Sequence, residues 1–289
     1  MIDLHTHTNH SDGRQTVAEL LQKAEKQGLK YLSITDHNSV GAYIELQEHP
    51  EIRKLFSGEI INGTELEFEH GEVCNELLGY FIDIYKIKKV KYLDKEYKLK
   101  IGFKSFEKMY NLYRGLGFRL SNFEEMTEKF HKAGHFAIPI IAEIDSEKNI
   151  DIARKLGCKS ELEFRKWRLE NVVSTQGKYY VEKPKSPSMK EVSQVIRDAG
   201  GKVFMAHIWR IGEKQAMPLL DYAVKNGLID GIEVYYQDQS TGFTDEQIEI
   251  LKEYAQKHNL LISGGSDSHK LNVPLSTLSL EQVNFFMGE

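Results

Sequence analysis

Five short apolar runs in this 289-residue chain each lead to side chains that can ligate a metal. The first stands at the N-terminus, "MIDLHTHTNHSDG", where Ile2 and Leu4 alternate with Asp3 and His5 and predict a strand. Residues two apart on a strand share a face, so His5 and His7 point the same way, with Asp12 in the loop beyond. "YLSIT" ends at Asp36 and His37, "GEIINGTELEFEH" carries Glu65, "VFMA" ends at His207, and "LLISGG" ends at Asp267 and His269. A lone histidine after a strand is usually a cap or a satisfied polar residue. Five strands furnished this way do not share that explanation.

The segments between the runs are amphipathic. "TVAELLQKAEKQGL" places Val17, Leu20, Leu21 and Ala24 at helical spacing, with Thr16 as N-cap and Gly28 as the stop. "SMKEVSQVIRDAG", "MPLLDYAVKNGL" and "DEQIEILKEYAQKHN" are further helices, alternating with the strands "GKVFMAHI", "IDGIEVYY" and "LLISGG". The alternation predicts an α/β protein with a parallel sheet wrapped by helices, as in a barrel whose post-strand loops share one face. From about Lys86 the pattern breaks. "KIKKVKYLDKEYKLK" is lysine-rich with a weak strand pattern, and helical, charged sequence follows it. The expected organisation is therefore a barrel from residues 1–90 and 188–289, interrupted by a mainly helical insertion at 91–187.

Composition excludes several classes. Hydrophobic residues make up 40% and charged residues 28%, too apolar for a disordered chain, and no run is long enough to span a membrane. A net charge of -5 provides no footprint for a stable nucleic-acid complex. Cys74 and Cys158 cannot form a disulfide framework and fit a reducing compartment. No secretory signal precedes His5 and His7, and cleavage there would destroy them as ligands, so a cytoplasmic location is expected.

"GEIINGTELEFEH" and "GEVCNELLGYFID" predict a hairpin. With His70-Gly71 as a two-residue turn, Glu65 would lie directly opposite Glu76, a pairing that makes sense around a cation. The donors are imidazole nitrogen and carboxylate oxygen without a thiolate cluster, which favours Mn, Fe or Zn over a structural zinc. Nine candidates, at roughly four to six per ion, imply two or three divalent ions.

The motifs "DLHTHTNHSDG", "SITDHN", "NGTELE", "MAHI" and "GSDSH" resemble, in order and spacing, those of the polymerase and histidinol phosphatase (PHP) family of metal-dependent phosphoesterases. The resemblance covers about two thirds of the chain and implies a distorted (β/α)7 barrel with a trinuclear site. It implies that His5, His7, Glu65 and Asp267 hold one metal, and Asp12, His37 and His269 another. Glu65 would bridge to a third ion, held also by His207 and a fourth-strand residue. Relatives tend to read His-Ile-Leu-Gly-Tyr at that strand; here Glu76 stands in the histidine's place. The insertion resembles the cap of the bacterial group that includes nucleotide 3'-phosphatases, where Arg-Pro-His is common. Here Ile138 and Ile140 flank Pro139, so a cationic phosphate contact is missing and Arg210 is the preferred replacement.

The implied reaction is attack of a metal-bound hydroxide on a small-molecule or nucleotide phosphomonoester, with Asp267, His269, His207 and Arg210 as catalytic residues. His10 and Asp36 are expected to shuttle protons or orient the ligands, with support of the ligands the expected role of Asp36. Lys104, Arg114, Arg119 and Lys178 are candidate substrate contacts in the insertion. Hydrolysis of a phosphodiester or an amide fits the same ligands, as does a non-catalytic metal-binding module. The oligomeric state is not legible.

Overall fold

A computed structural model of the chain describes residues 1–91, 93–133, 135–238 and 241–284. Positions 239, 240 and 285–289 of the expected second barrel segment, and 92 and 134 of the expected insertion, lie outside them. The chain divides into two compact units, Met1–Val90 with Ser186–Glu289, and Lys91–Lys185. Ser186 and Pro187 go with the first because they bind β3, described below: the Ser186 hydroxyl donates to Glu67 at 3.2 Å and the Pro187 carbonyl accepts the Glu69 N–H at 2.9 Å.

The first unit is a nearly closed seven-stranded barrel. Its strands, β1 (Ile2–Asp3), β2 (Tyr31–Ile34), β3 (Glu59–His70), β4 (Val73–Tyr80), β5 (Lys202–Met205), β6 (Gly231–Tyr236) and β7 (Leu261–Gly265), lie side by side in chain order. All neighbours are parallel except β4, which runs antiparallel to both β3 and β5. Individual hydrogen bonds close the gap between β7 and β1: the Leu4 N–H reaches the Gly264 carbonyl at 3.2 Å, the Asp267 N–H the His5 carbonyl at 2.8 Å, and the His7 N–H the Ser268 carbonyl at 3.0 Å. The expected (β/α)7 architecture is thus present, and its closing seam runs through the histidine motif.

Local signals account for the helices. At Val17–Gln27, Thr16 and Glu19 form a reciprocal capping box, Gly28 stops the helix at φ 70°, and Val17, Leu20, Leu21 and Ala24 are buried. Met189–Asp198 and Asp245–His258 carry the same reciprocal cap through Ser188 and Thr244. Among the described residues, no helix is long and apolar enough to cross a membrane.

Two expectations are corrected. The β3–β4 hairpin turns at Gly71-Glu72, not His70-Gly71, so His70 pairs with Val73 and Glu76 faces Glu67 rather than Glu65, whose partner is Leu78. A two-residue hairpin loop favours positive φ at its first position, and Gly71 supplies 62° where histidine would be strained. The slip moves each partner by two residues, so every side chain keeps its face, and Glu76 becomes the diagonal neighbour of Glu65. The lysine-rich stretch is no strand: Asp94 caps a helix over Lys95–Gly115, accepting the Tyr97 N–H at 2.7 Å.

The second unit is helical around its own aromatic core, in which Phe106 and Phe130 stack with ring centroids 4.7 Å apart. Ile140 is fully buried in that core and Ile138 is 37% exposed. Glu143 accepts hydrogen bonds from Lys129, Lys148 and the Ser121 N–H and hydroxyl, which tie three segments together.

Candidate metal centre

The barrel's strand ends bring nine donor side chains to one place. Parallel strands deliver His5, His7, His37, His207, Asp267 and His269 just beyond their C-terminal ends. Glu65 sits within the long β3, bridged to His37. Glu76 lies near the start of β4, yet reaches the same end because β4 is antiparallel to its neighbours. The loop bearing Asp12 is tied by Asp36, whose carboxylate accepts the Thr8 N–H at 2.7 Å, the Thr8 hydroxyl at 2.6 Å and the Ser11 hydroxyl at 2.6 Å. Gly13 is required in this loop, since a Cβ there would stand 2.7 Å from the backbone of His7 and Thr8.

Among the described residues, three overlapping groups have ligand atoms close enough to share an ion: His5, His7, Glu65 and Asp267; His7, Asp12, His37 and His269; and His37, Glu65 and Glu76. In the first, His7 Nε2 lies 2.9 Å from Asp267 Oδ1 and 3.3 Å from Glu65 Oε2, while His5 Nε2 lies 3.3 and 3.2 Å from the same atoms. In the second, Asp12 Oδ1 lies 3.2 Å from His269 Nε2 and 3.7 Å from His37 Nε2, and the His37 and His269 rings are 6.0 Å apart. In the third, the two carboxylates reach out to His37 Nδ1, at 3.1 Å from Glu65 and 3.8 Å from Glu76. His207 Nε2 joins them from the other side, 2.8 Å from Glu65 and 3.5 Å from Glu76. Glu65 therefore stands within 3.3 Å of His5, His7, His37 and His207. His5, His7 and Glu65 are sealed from solvent, whereas Asp12, His37, His269 and Glu76 are partly exposed and mark the open side.

Charge and burial conflict here unless cations are present. Burial would lower the His37 pKa, but Glu65, Glu76 and Asp12 outweigh it and raise it to about 9. His5 is raised well above its ordinary value, since Glu233 and Glu65 overcome its burial. Burial and the neighbouring His37 lower His7. Burial would raise Glu65 and Asp267, yet the surrounding histidines hold both well below the carboxylate range. Glu76 is raised, by burial and by Glu65. Both nitrogens of His7 and Oδ1 of Asp267 are buried without a well-aligned hydrogen bond, although His7 Nε2 and Asp267 Oδ1 stand 2.9 Å apart. Buried polar atoms are rarely left so, and a divalent ion would satisfy Asp267 Oδ1 and one nitrogen of His7, whose other nitrogen then carries the proton. The donor set fits the ions that the sequence implies.

Other sequence candidates stand apart or aside. His10 Nε2 pairs with Glu45 rather than with the cluster. Arg210 Nη1 lies 3.6 Å from Asp267 Oδ2, with the side chain 41% exposed. Arg119 is engaged by both carboxylate oxygens of Asp151. Lys104 and Lys178 are exposed, and Arg114 Nη1 donates to the Leu120 carbonyl. Sequence reasoning missed three residues that hold the ligands. Asp3 accepts the N–H groups of His5, Ser266 and Ser276 and the Ser266 hydroxyl. Tyr236 donates to Asp267 Oδ2 at 2.8 Å, and Glu233 contacts both His5 and His207. The available signal was a single glutamate inside the apolar run "GIEVYY". Asp267, itself a candidate ligand, and Asn38, next to His37, adopt left-handed backbone at φ 50° and 46°, a conformation that Asp and Asn tolerate better than most residues.

A family model described as PHP domain matches residues 3–156. A candidate metal-dependent phosphoesterase from Bifidobacterium adolescentis superposes with a TM-score of 0.68 at 25% identity, covering 95% of this chain and 90% of that one. An amidohydrolase from Chromobacterium violaceum, solved with sulfate and no metal, gives 0.68 at 20% identity, covering 96% and 92%, and speaks to fold alone. An uncharacterised protein of Methanocaldococcus jannaschii is 28% identical over 92 residues, 28% of this chain and 50% of that protein. The chain thus spans about half the length of that curated relative.

Proposed function

The chain belongs to the PHP domain family, and on that premise we propose that it is a metal-dependent hydrolase releasing phosphate from a small phosphorylated molecule. The observation that carries the reading is the set of buried ligand atoms on His7 and Asp267 that lack a well-aligned hydrogen bond at the meeting point of nine donors. His5, His7, Glu65 and Asp267 would hold one ion, Asp12, His37 and His269 a second, and Glu65, Glu76 and His207 a third. Such ions, when bound, supply Lewis acidity toward phosphoryl oxygens and acidify water to a pKa near ~7.

The chain's own groups do the rest. Arg210, partly exposed beside Asp267, supplies the cation that orients a phosphoryl oxygen, in place of the arginine and histidine absent around Pro139. Asp267 is held through Oδ2 by Tyr236, which turns Oδ1 toward His5 and His7, where it would ligate the first ion. His269 Nδ1 contacts the Asp267 carbonyl at 2.7 Å, which assigns the proton to Nδ1 and leaves Nε2 toward Asp12 as a donor atom. His207, against Glu65, completes the charged wall. Residues 91–185 form the substrate-selecting domain in this reading, without Arg119, whose guanidinium is occupied. A chain with two cysteines fits a cytoplasmic setting in this reading.

The test is metal analysis of the purified protein together with a phosphate-release screen across phosphorylated metabolites, with diester and amide substrates alongside. Bound divalent metal with phosphate release from monoesters is expected. A fully metallated protein that cleaves only diesters or amides would assign the site to a different bond, and a protein that takes up no metal would end the reading.

A further inference from the structure

We propose that Glu233 is a positioning residue that fixes which nitrogen of His5 faces the metal cluster and, with its other oxygen, anchors His207. Glu233 is fully buried on β6. Its Oε1 lies 2.7 Å from His5 Nδ1, and its Oε2 accepts the backbone N–H of His207 at 2.8 Å. One carboxylate thus joins the ends of β1 and β5, the two strands whose histidines approach Glu65 from different sides.

A backbone irregularity makes this possible. In a regular strand Glu233 and Tyr236, three apart, would point to opposite faces. Glu233 pairs with Ser263 while Tyr235 pairs with Gly264, so Val234 is an extra residue, and the bulge turns Glu233 and Tyr236 toward the same cluster. There Glu233 meets His5 and Tyr236 meets Asp267.

The hydrogen bond has a chemical consequence. A carboxylate only accepts, so the proton of the His5–Glu233 contact resides on Nδ1. In the neutral imidazole that a metal requires, Nε2 is then the lone-pair atom, and Nε2 is the one standing 3.2 Å from Glu65 and 3.3 Å from Asp267. With a cation between Nε2 and the Glu65 and Asp267 carboxylates, the opposite tautomer would leave the Nδ1 lone pair against Glu233 with nothing between them. Such carboxylate–histidine pairs orient metal-bound imidazoles generally, and losing the carboxylate costs about 10–100-fold in metal affinity. The effect on affinity rests on the metal-site reading above; the position of the proton does not.

The experiment compares the metal-free unaltered protein with Glu233→Gln, both 15N-labelled, by one-bond 15N–1H correlation of the histidine side chains. A slowly exchanging His5 Nδ1–H signal, assigned by its absence in His5→Gln, is expected in the unaltered chain and lost in Glu233→Gln. The amide has one accepting oxygen for two donors, and its NH2 must face one of them. Mn titration should show the variant binding about 10–100-fold more weakly. Absence of the Nδ1–H signal from the unaltered protein overturns the proposal, whether or not the variant folds. So does a Glu233→Gln protein that keeps both the signal and its Mn affinity, even if it melts earlier. If the unaltered chain takes up no Mn, the metal-site reading fails while the Nδ1–H comparison still decides the role of Glu233.

Discussion

Stripping the metals should make this fold sensitive to alkali, and the size of the effect follows from the histidine cluster. With no ion present, the positive charge among Glu65, Asp267 and Asp12 comes from protonated histidines. His37 is the clearest case, raised from 6.5 to about 9 against the opposing effect of its burial. A raised pKa means the folded state holds its proton more tightly than the unfolded chain does. That stability is fully present below pH 6.5 and is lost as the pH climbs to about 9. A span of about 2.5 pH units at 1.36 kcal/mol each is about 3.4 kcal/mol, and screening of a side chain 28% exposed trims it to about 2 kcal/mol. His5, His207 and His269 are raised too and act in the same direction. Glu76, raised by burial and by Glu65, opposes the fold once ionised. Guanidinium unfolding of chelator-treated protein at pH 6 and pH 9.5 should therefore show a lower midpoint at the higher pH. Reloading with Mn should remove most of the difference, because the ions replace the protons. Equal midpoints for the chelated protein at both pH values would refute the reasoning.

Asp267→Asn should abolish phosphate release while leaving the circular dichroism spectrum unchanged, because a neutral amide neither balances metal charge nor takes a proton; retained turnover with full metal content would show the carboxylate dispensable. Glu76→His replaces an oxygen donor with nitrogen and should raise affinity for Zn relative to Mn, which competitive metal titration would read; an unchanged ratio would place Glu76 outside the ligand set. In the helical unit, burial would raise Glu143, but Lys129, Ser121 and Lys148 pull it down to about 2. Its stabilisation is therefore present above about pH 4.5 and lost toward pH 2, and Glu143→Gln should cost about 1–2 kcal/mol at pH 7, discounted because both lysines are 46% exposed. A variant with an unchanged denaturation midpoint would contradict that.

Much of this protein is written locally. Thr16 with Glu19, Gly28, and the spacing of Val17, Leu20, Leu21 and Ala24 identify a helix without reference to anything distant, since caps and amphipathic stripes act over one to three turns. The chemistry was legible for a related reason: a side chain that must reach a shared centre at a barrel's rim has to stand just after a strand, so its place in the chain records its role. That is why His5, His7, His37, His207, Asp267 and His269 could be picked out singly, and why the alternating pattern implied the barrel that collects them.

What the residues could not state alone depends on contacts between distant segments. The hairpin register turned on one backbone angle, at Gly71, and a slip that preserved every face left the hydrophobic pattern unchanged, so the pattern could not detect it. Glu76 reaches the cluster because β4 is antiparallel, and the closing seam forms where Leu4, His5 and His7 meet Gly264, Asp267 and Ser268, some 260 residues away. The residues that hold the ligands were hidden for the same reason. Asp3 and Glu233 look like isolated charges within strands until the barrel closes around them. Burial leaves each with a definite set of donors, and only the closed tertiary structure brings those donors together.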